Sequence, residues 1–297
     1  MKWTAYRLVY QAKSPIHIGW HTLGYIKLTR YYITGKSMWG AMTANLARVL
    51  PINKKLDEHY KEIGNILMNR DILVSYFYPA LDPDMPLLPR FTQDGLKYGE
   101  CTASEFERLF IKSYGQTAVL PESNTAEDET LHESEYIASI VEDNKPVCFV
   151  GYVFINDDAK NVDDRTIGWD DKDIRLKDIV KEIFVGGDRK YGWGRLALDS
   201  FTTANDMFDF KVDKFPEITI PAGKPIPAHL VINDDLKLKG DIEPLVGREW
   251  GDVKDKNDKV IRKGFGQHIT KAKICWMPGS IIEEEKPLRI GDYGIIE

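Results

Sequence analysis

The chain is short of the features that would place it outside the cell or in a membrane. Only three cysteines occur in 297 residues, Cys101, Cys148 and Cys275, each isolated. That argues against a disulfide framework and a structural zinc site and fits a reducing, cytoplasmic compartment. No apolar run approaches the roughly 20 residues that a bilayer-crossing helix needs, so no membrane partner is expected. The alternating start MKWTAYRLVYQAK lacks the apolar core of a signal peptide. The most informative absence is of negative charge. Residues 1–56 contain no Asp or Glu but nine basic side chains (Lys2, Arg7, Lys13, Lys27, Arg30, Lys36, Arg48, Lys54, Lys55), in a chain of formal net charge −6. Burial would exclude lysine as firmly as glutamate, so this base-rich front points to a polyanionic partner.

What is present suffices for a packed core: 43% of residues are apolar and 11% aromatic. Residues 3–12 alternate as a strand, broken by Ser14-Pro15 and Gly19, and a second extended piece is expected at 25–33. A helix follows, with Ser37 as N-cap and Trp39, Met42, Leu46, Val49 and Leu50 at helical spacing up to Pro51. Residues 60–69 suggest a further helical turn or two, and 71–78 a strand. Four prolines (Pro79, Pro83, Pro86, Pro89) open an irregular insertion that runs to about 145 and holds a short helix at 104–113. The apolar run 147–155 is the clearest strand. An acid-rich loop at 157–173, an amphipathic helix at 174–184, a glycine-rich segment and a strand at 196–201 complete the order. The fold class expected is α+β: a ferredoxin-like (RRM-like) βαββαβ domain over 1–204 with an inserted, thumb-like region at about 80–145. A smaller β-rich domain is expected over 205–297, with a charged loop at 247–266.

Three stretches could carry chemistry. GGDRKYGWGRL at 186–196 places Gly186, Gly187, Gly192 and Gly194 where backbone N–H groups could approach an anion. Within it Arg189, Lys190 and Arg195 supply charge, and Tyr191 and Trp193 supply rings for base stacking. YYITGKSMWG at 31–40 sets Gly35, Lys36 and Ser37 at a helix start, a ready anion site. It falls short of the full P-loop pattern, because Arg30 stands where that motif requires glycine, and a P-loop-like nucleotide-binding enzyme using Lys36 stays as an alternative reading. SPIHIGWHTLG at 14–24 offers His17, Trp20 and His21, next to Lys13; the histidines either hydrogen-bond RNA or backbone, or form a metal-independent ribonuclease pair. HESEY at 132–136 fails the zinc-protease pattern at Tyr136. No cofactor and no metal are expected.

SPIHIG at 14–19, YITGKSMWGAM at 32–42 and GGDRKYGWGRL at 186–196 together resemble the RAMP superfamily of CRISPR-associated proteins. The middle block is similar to that family's I-P-G-S-S-L-x-G-A signature, with Thr34 for proline and Lys36 for the first serine. The resemblance implies a ferredoxin-like domain whose glycine-rich loop binds guide RNA. The long insertion and the second domain are most like the subunit that grips the 5′ handle of the guide in type III effector complexes. TAEDETLHESEYI and the Trp-rich helix start resemble its subtype III-D form. Expected partners are then the crRNA, a polymerase-like large subunit and backbone RAMP subunits. The alternatives are a repeat-processing endoribonuclease acting through His17 or His21, and a repeated backbone subunit. The target-cutting form of the latter carries an aspartate between its first strand and helix; the acid-free front has none.

Overall fold

The computed structural model describes residues 3–50, 56–68, 72–156, 162–163, 166–169, 172–212, 216–233, 235–247, 250–265, 269 and 271–297. Strand β1 (Trp3–Ala12) turns Tyr6, Leu8 and Tyr10 into one buried cluster and Ala5 into another on its opposite face, as the two-residue period of a strand dictates. A hairpin of β2 (Gly19–Leu23) and β3 (Ile26–Thr29) follows, so the extended piece expected at 25–33 is shorter and lies in a different sheet from β1. Helix α1 (Gly35–Val49) buries Met38, Met42 and Leu46. Its N-cap is Thr34 rather than Ser37: the Thr34 hydroxyl accepts from the Ser37 backbone N–H at 3.3 Å. Thr34→Ala is therefore expected to cost about 1 kcal/mol of stability, seen as a lower urea midpoint at unchanged slope. Helix α2 (Leu56–Met68) begins earlier than the turn expected at 60–69, whose last residue lies outside the described ones.

The single strand expected over 71–78 is split into β4 (Ile72–Val74) and β5 (Tyr78–Ala80). The cause is local. Tyr152 donates its backbone N–H to the Ser75 hydroxyl at 2.7 Å, and Phe77 exchanges both backbone hydrogen bonds with Ile33 at 2.9 Å. Ser75 still donates its own N–H to Tyr152 at 2.9 Å, so it is at Tyr76 and Phe77 that the chain leaves β8. The insertion has its own order: α3 (Ala103–Phe110) starts in a reciprocal capping box of Thr102 and Glu105. Strand β6 (Ile111–Gln116) then pairs with β7 (His132–Ile137), and β7 pairs in parallel with β3. HESEY is thus a strand that ties the insertion to the β2–β3 hairpin.

Strand β8 (Cys148–Asn156) is buried almost throughout. The helix expected over 174–184 shrinks to α4 (Leu176–Val180), and its second half becomes β9 (Glu182–Phe184), where Ile183 pairs with Leu196 of β10 (Arg195–Ala204). The acid-rich 157–173 lies partly outside the described residues; its described pieces pair as short strands rather than as a loop. The main sheet runs β9-β10-β1-β8-β4, antiparallel throughout. Apart from β9, its elements follow in the βαββαβ order.

Residues beyond 205 form short strands, among them β11 (Leu230–Val231), β12 (Ile242–Gly247) and β13 (Lys271–Trp276), ordered β11-β13-β12. The charged segment 247–266 contains a hairpin instead of a loop, with Trp250–Lys254 paired to Val260–Phe265. Both faces of the main sheet are covered. Met42 and Leu46 of α1, Ile63 of α2 and Ile179 of α4 pack with Leu8 and Val153 on one side. On the other, Ile218, Ile220, Leu230 and Ile296 share a core with Ala5, Tyr76, Tyr78 and Phe154. The C-terminal strands therefore stand close enough to the first unit to build a common site.

Candidate nucleic-acid interface

Three stretches far apart in the chain meet around one cavity of about 560 Å³. Its walls come from His17, Trp20 and His21, from Thr34, Lys36 and Ser37 at the start of α1, and from Gly186 and Gly187. The fourth wall was not legible in the sequence: Pro244–Gly247 of β12, Lys273 of β13, and the turn with Asp292 and Tyr293.

Backbone hydrogen bonds knit the glycine-rich segment to the His17 loop. Gly187 donates to the His17 carbonyl at 2.9 Å, Gly194 to that of Pro15 at 2.8 Å, and Lys13 to that of Arg195 at 2.8 Å. Gly186 and Gly194 have φ of +72° and +85°, and a Cβ at either would overlap a carbonyl oxygen, of His17 and of Val185 respectively. The protein's own packing thus demands these two glycines. Gly192 also has positive φ but faces open space. Gly35 is likewise a packing residue, buried against the backbone of Tyr293 and Val74, where the sequence suggested an anion contact.

Several expected contacts are redirected. Trp193, read as a stacking platform, is 8% exposed and packs edge-on against Tyr136, ring centroids 4.9 Å apart, with Tyr114 beyond at 6.5 Å. It anchors the glycine-rich segment to the inserted sheet. Arg30, one of the bases of the acid-free front expected to contact RNA, is largely buried and binds Glu243 with both guanidinium arms at 2.7 and 2.9 Å. Arg195 pairs with Glu182 at 2.8 Å on the surface, and exposed Lys13 turns its ammonium to Gln11. Tyr191, in contrast, is 66% exposed on the turn Arg189–Tyr191, alongside Arg189 and Lys190. Trp20 is 40% exposed, lies tilted against His21 with ring centroids 4.6 Å apart, and donates its indole N–H to Glu243 at 3.1 Å.

Glu243 is the centre of a buried polar chain beside the cavity. Tyr76 O–H donates to His229 Nδ1 at 2.7 Å, His229 Nε2–H donates to Glu243 at 2.5 Å, and Arg30 completes the set. Burial by itself would raise the Glu243 carboxyl, but hydrogen bonds from His229 and Arg30, with the Arg30 charge, outweigh it and hold it well below the usual carboxylate range. Burial pushes the His229 imidazole down, against the pull of Glu243, so the fold disfavours its charged form. Lys273 is paired with Glu297 at 2.7 Å, and Asp292 also lines the cavity. The site is therefore less uniformly cationic than the acid-free front implied. Lys36 lines the cavity, its ammonium 5.4 Å from the Tyr293 ring centroid; Arg189 and Lys190 follow Gly187 in the chain, on the turn Arg189–Tyr191.

No protein-family model matches the chain, and no curated protein matches it. Among solved structures it is similar to a chain in a cryo-EM structure of the type III-B Cmr-beta bound to cognate target RNA. The TM-score is 0.53 at 13% identity, covering 93% of this chain and 86% of that chain. A second structure, of Cmr-beta bound to cognate target RNA and AMPPnP, gives the same TM-score of 0.53 and identity of 13%, covering 93% and 85%. At such identity the likeness is one of fold, α+β and spanning both halves of the chain.

Proposed function

We propose that the protein is a guide-RNA-binding subunit of a type III CRISPR ribonucleoprotein and that the cavity and the Arg189–Tyr191 turn grip the 5′ handle of the guide. The carrying observation is the convergence of the SPIH loop, the start of α1 and the glycine-rich segment on one cavity, although Ser37 and Gly186 are well over a hundred residues apart. The fold shared with a chain of an RNA-bound Cmr-beta supports the same reading. In this reading Lys36, Arg189 and Lys190 meet phosphates, Tyr191 and Trp20 offer ring faces to unstacked bases, and the neighbours are backbone subunits and a polymerase-like large subunit.

The test is a salt series with repeat-derived single-stranded RNA. Each phosphate contact removed should flatten the log–log salt dependence by roughly 0.7. Arg189→Ala and Lys190→Ala are each expected to weaken binding and lower the slope by about that amount; slopes identical to wild type would sink the assignment of this turn. The same RNA should stay intact during long incubation with the protein in EDTA. Cleavage abolished by His17→Ala would favour the endoribonuclease reading instead.

A further inference from the structure

We infer that His17 reads the sugar of the bound strand: its Nε2 accepts a hydrogen bond from a ribose 2′-hydroxyl and makes the site selective for RNA over DNA. The inference rests on the RNA-binding reading above. His17 is only 7% exposed yet lines the cavity. Its Nδ1 lies 2.6 Å from the Glu135 carbonyl oxygen. A carbonyl can only accept, so Nδ1 carries the ring proton and, in the neutral imidazole, Nε2 is left as an acceptor. Among the described residues no hydrogen bond reaches Nε2. It sits between two glycines: a Cβ at Gly19 or Gly187 would lie 3.7 or 3.8 Å from it.

The chemistry of that atom selects its ligand. A phosphate oxygen is itself an acceptor, so it cannot satisfy Nε2. Base N–H donors are present on some bases and absent on others. Along a sugar–phosphate strand the donor repeated at every ribonucleotide is the 2′-hydroxyl, which DNA lacks. Lys36 and Ser37 on the neighbouring wall leave the adjoining phosphate its own partners.

The experiment measures binding of labelled single-stranded RNA, its all-DNA counterpart, and a set of RNAs carrying one 2′-deoxynucleotide at each position in turn. Wild type and His17→Asn are compared. The asparagine amide retains a donor for the Glu135 carbonyl but ends short of Nε2. One position is expected at which wild type loses about fivefold on removal of the hydroxyl, the worth of one hydrogen bond. A 2′-fluoro or 2′-O-methyl group there should cost as much, since neither donates. His17→Asn should lose the same factor on all-RNA and become indifferent at that position. If no position is sensitive in wild type, or if the penalty persists in His17→Asn, the inference is overturned while RNA binding stands. If neither nucleic acid binds, the underlying reading falls with it. Should the variant not fold, the wild-type deoxy and 2′-fluoro series still decides whether a hydroxyl donor is read.

Discussion

Glu243→Ala is expected to destabilise the protein by about 3–5 kcal/mol, the usual cost of removing one partner from a buried ion pair. The loss is large against a total stability of roughly 5–15 kcal/mol. The reason is what the carboxylate leaves behind. Arg30 would remain largely buried with its charge uncompensated and the Tyr32 hydroxyl at 3.2 Å as its remaining partner, and the His229 N–H and the Trp20 indole N–H would lose their acceptor. Because Trp20 and Arg30 line the cavity, RNA affinity should fall along with the urea midpoint. Replacing Arg30, His229 and Glu243 together by apolar residues of similar volume should cost far less than Glu243→Ala alone, since no charge is then stranded. If the single substitution proves as mild as the triple one, the network does not hold the two halves together.

The same network fixes the direction of the pH response. The folded His229 titrates below its ordinary 6.5, so an unfolded chain takes up a proton that the fold refuses. Stability should be full above that value and begin to decline as the pH drops below it. Glu243 acts in the same direction lower down: its contribution is complete above the ordinary 4.5 and is lost as the pH falls toward its depressed folded value. Denaturation midpoints measured across this range should fall monotonically with acid in wild type. In Glu243→Ala the decline below 4.5 should be shallower.

The contrast between Arg30 and the strands shows what a linear sequence carries. Alternation in Tyr6, Leu8 and Tyr10, the apolar run of β8 and the helical spacing of Trp39, Met42 and Leu46 are local signals, and each became the expected element. The SPIH loop, the α1 start and the glycine-rich segment are each marked by a short motif, but their meeting around one cavity is seen only in the fold. Arg30 has no local signal for its fate, because Glu243 lies 213 positions away. Trp193 was misread for a related reason. A tryptophan in a glycine-rich loop looks like an exposed ring until Tyr114 and Tyr136 arrive from the insertion to cover it. At 174–184 the spacing of Ile174, Leu176, Ile179, Val180 and Ile183 suits a helix. A free sheet edge beside Leu196 captured the last of these, and a ladder between chain segments overrode local periodicity.

Gly194→Ala is expected to disable RNA binding where Gly192→Ala does not, although the two glycines share the same φ of +85°. Both substitutions pay for a left-handed backbone with about 1–2 kcal/mol. At Gly192 the new methyl enters open space, so the cost ends there. At Gly194 it overlaps the Val185 carbonyl, and the backbone bond from Gly194 to Pro15 must lengthen or break. That adds on the order of 1–3 kcal/mol of strain and loosens the glycine-rich segment from the His17 loop. Gly186→Ala, which overlaps the His17 carbonyl, should behave as Gly194→Ala does. A displacement of that wall that forfeits even 1.4 kcal/mol of binding is a tenfold loss of affinity. Titration of the three variants against the same RNA, each with its melting temperature, separates two roles for glycine. If Gly192→Ala were the damaging one, the ligand would be pressing on the backbone itself at the tip. If Gly186→Ala and Gly194→Ala are, these glycines act one step back, holding the glycine-rich segment against the His17 loop at the cavity wall.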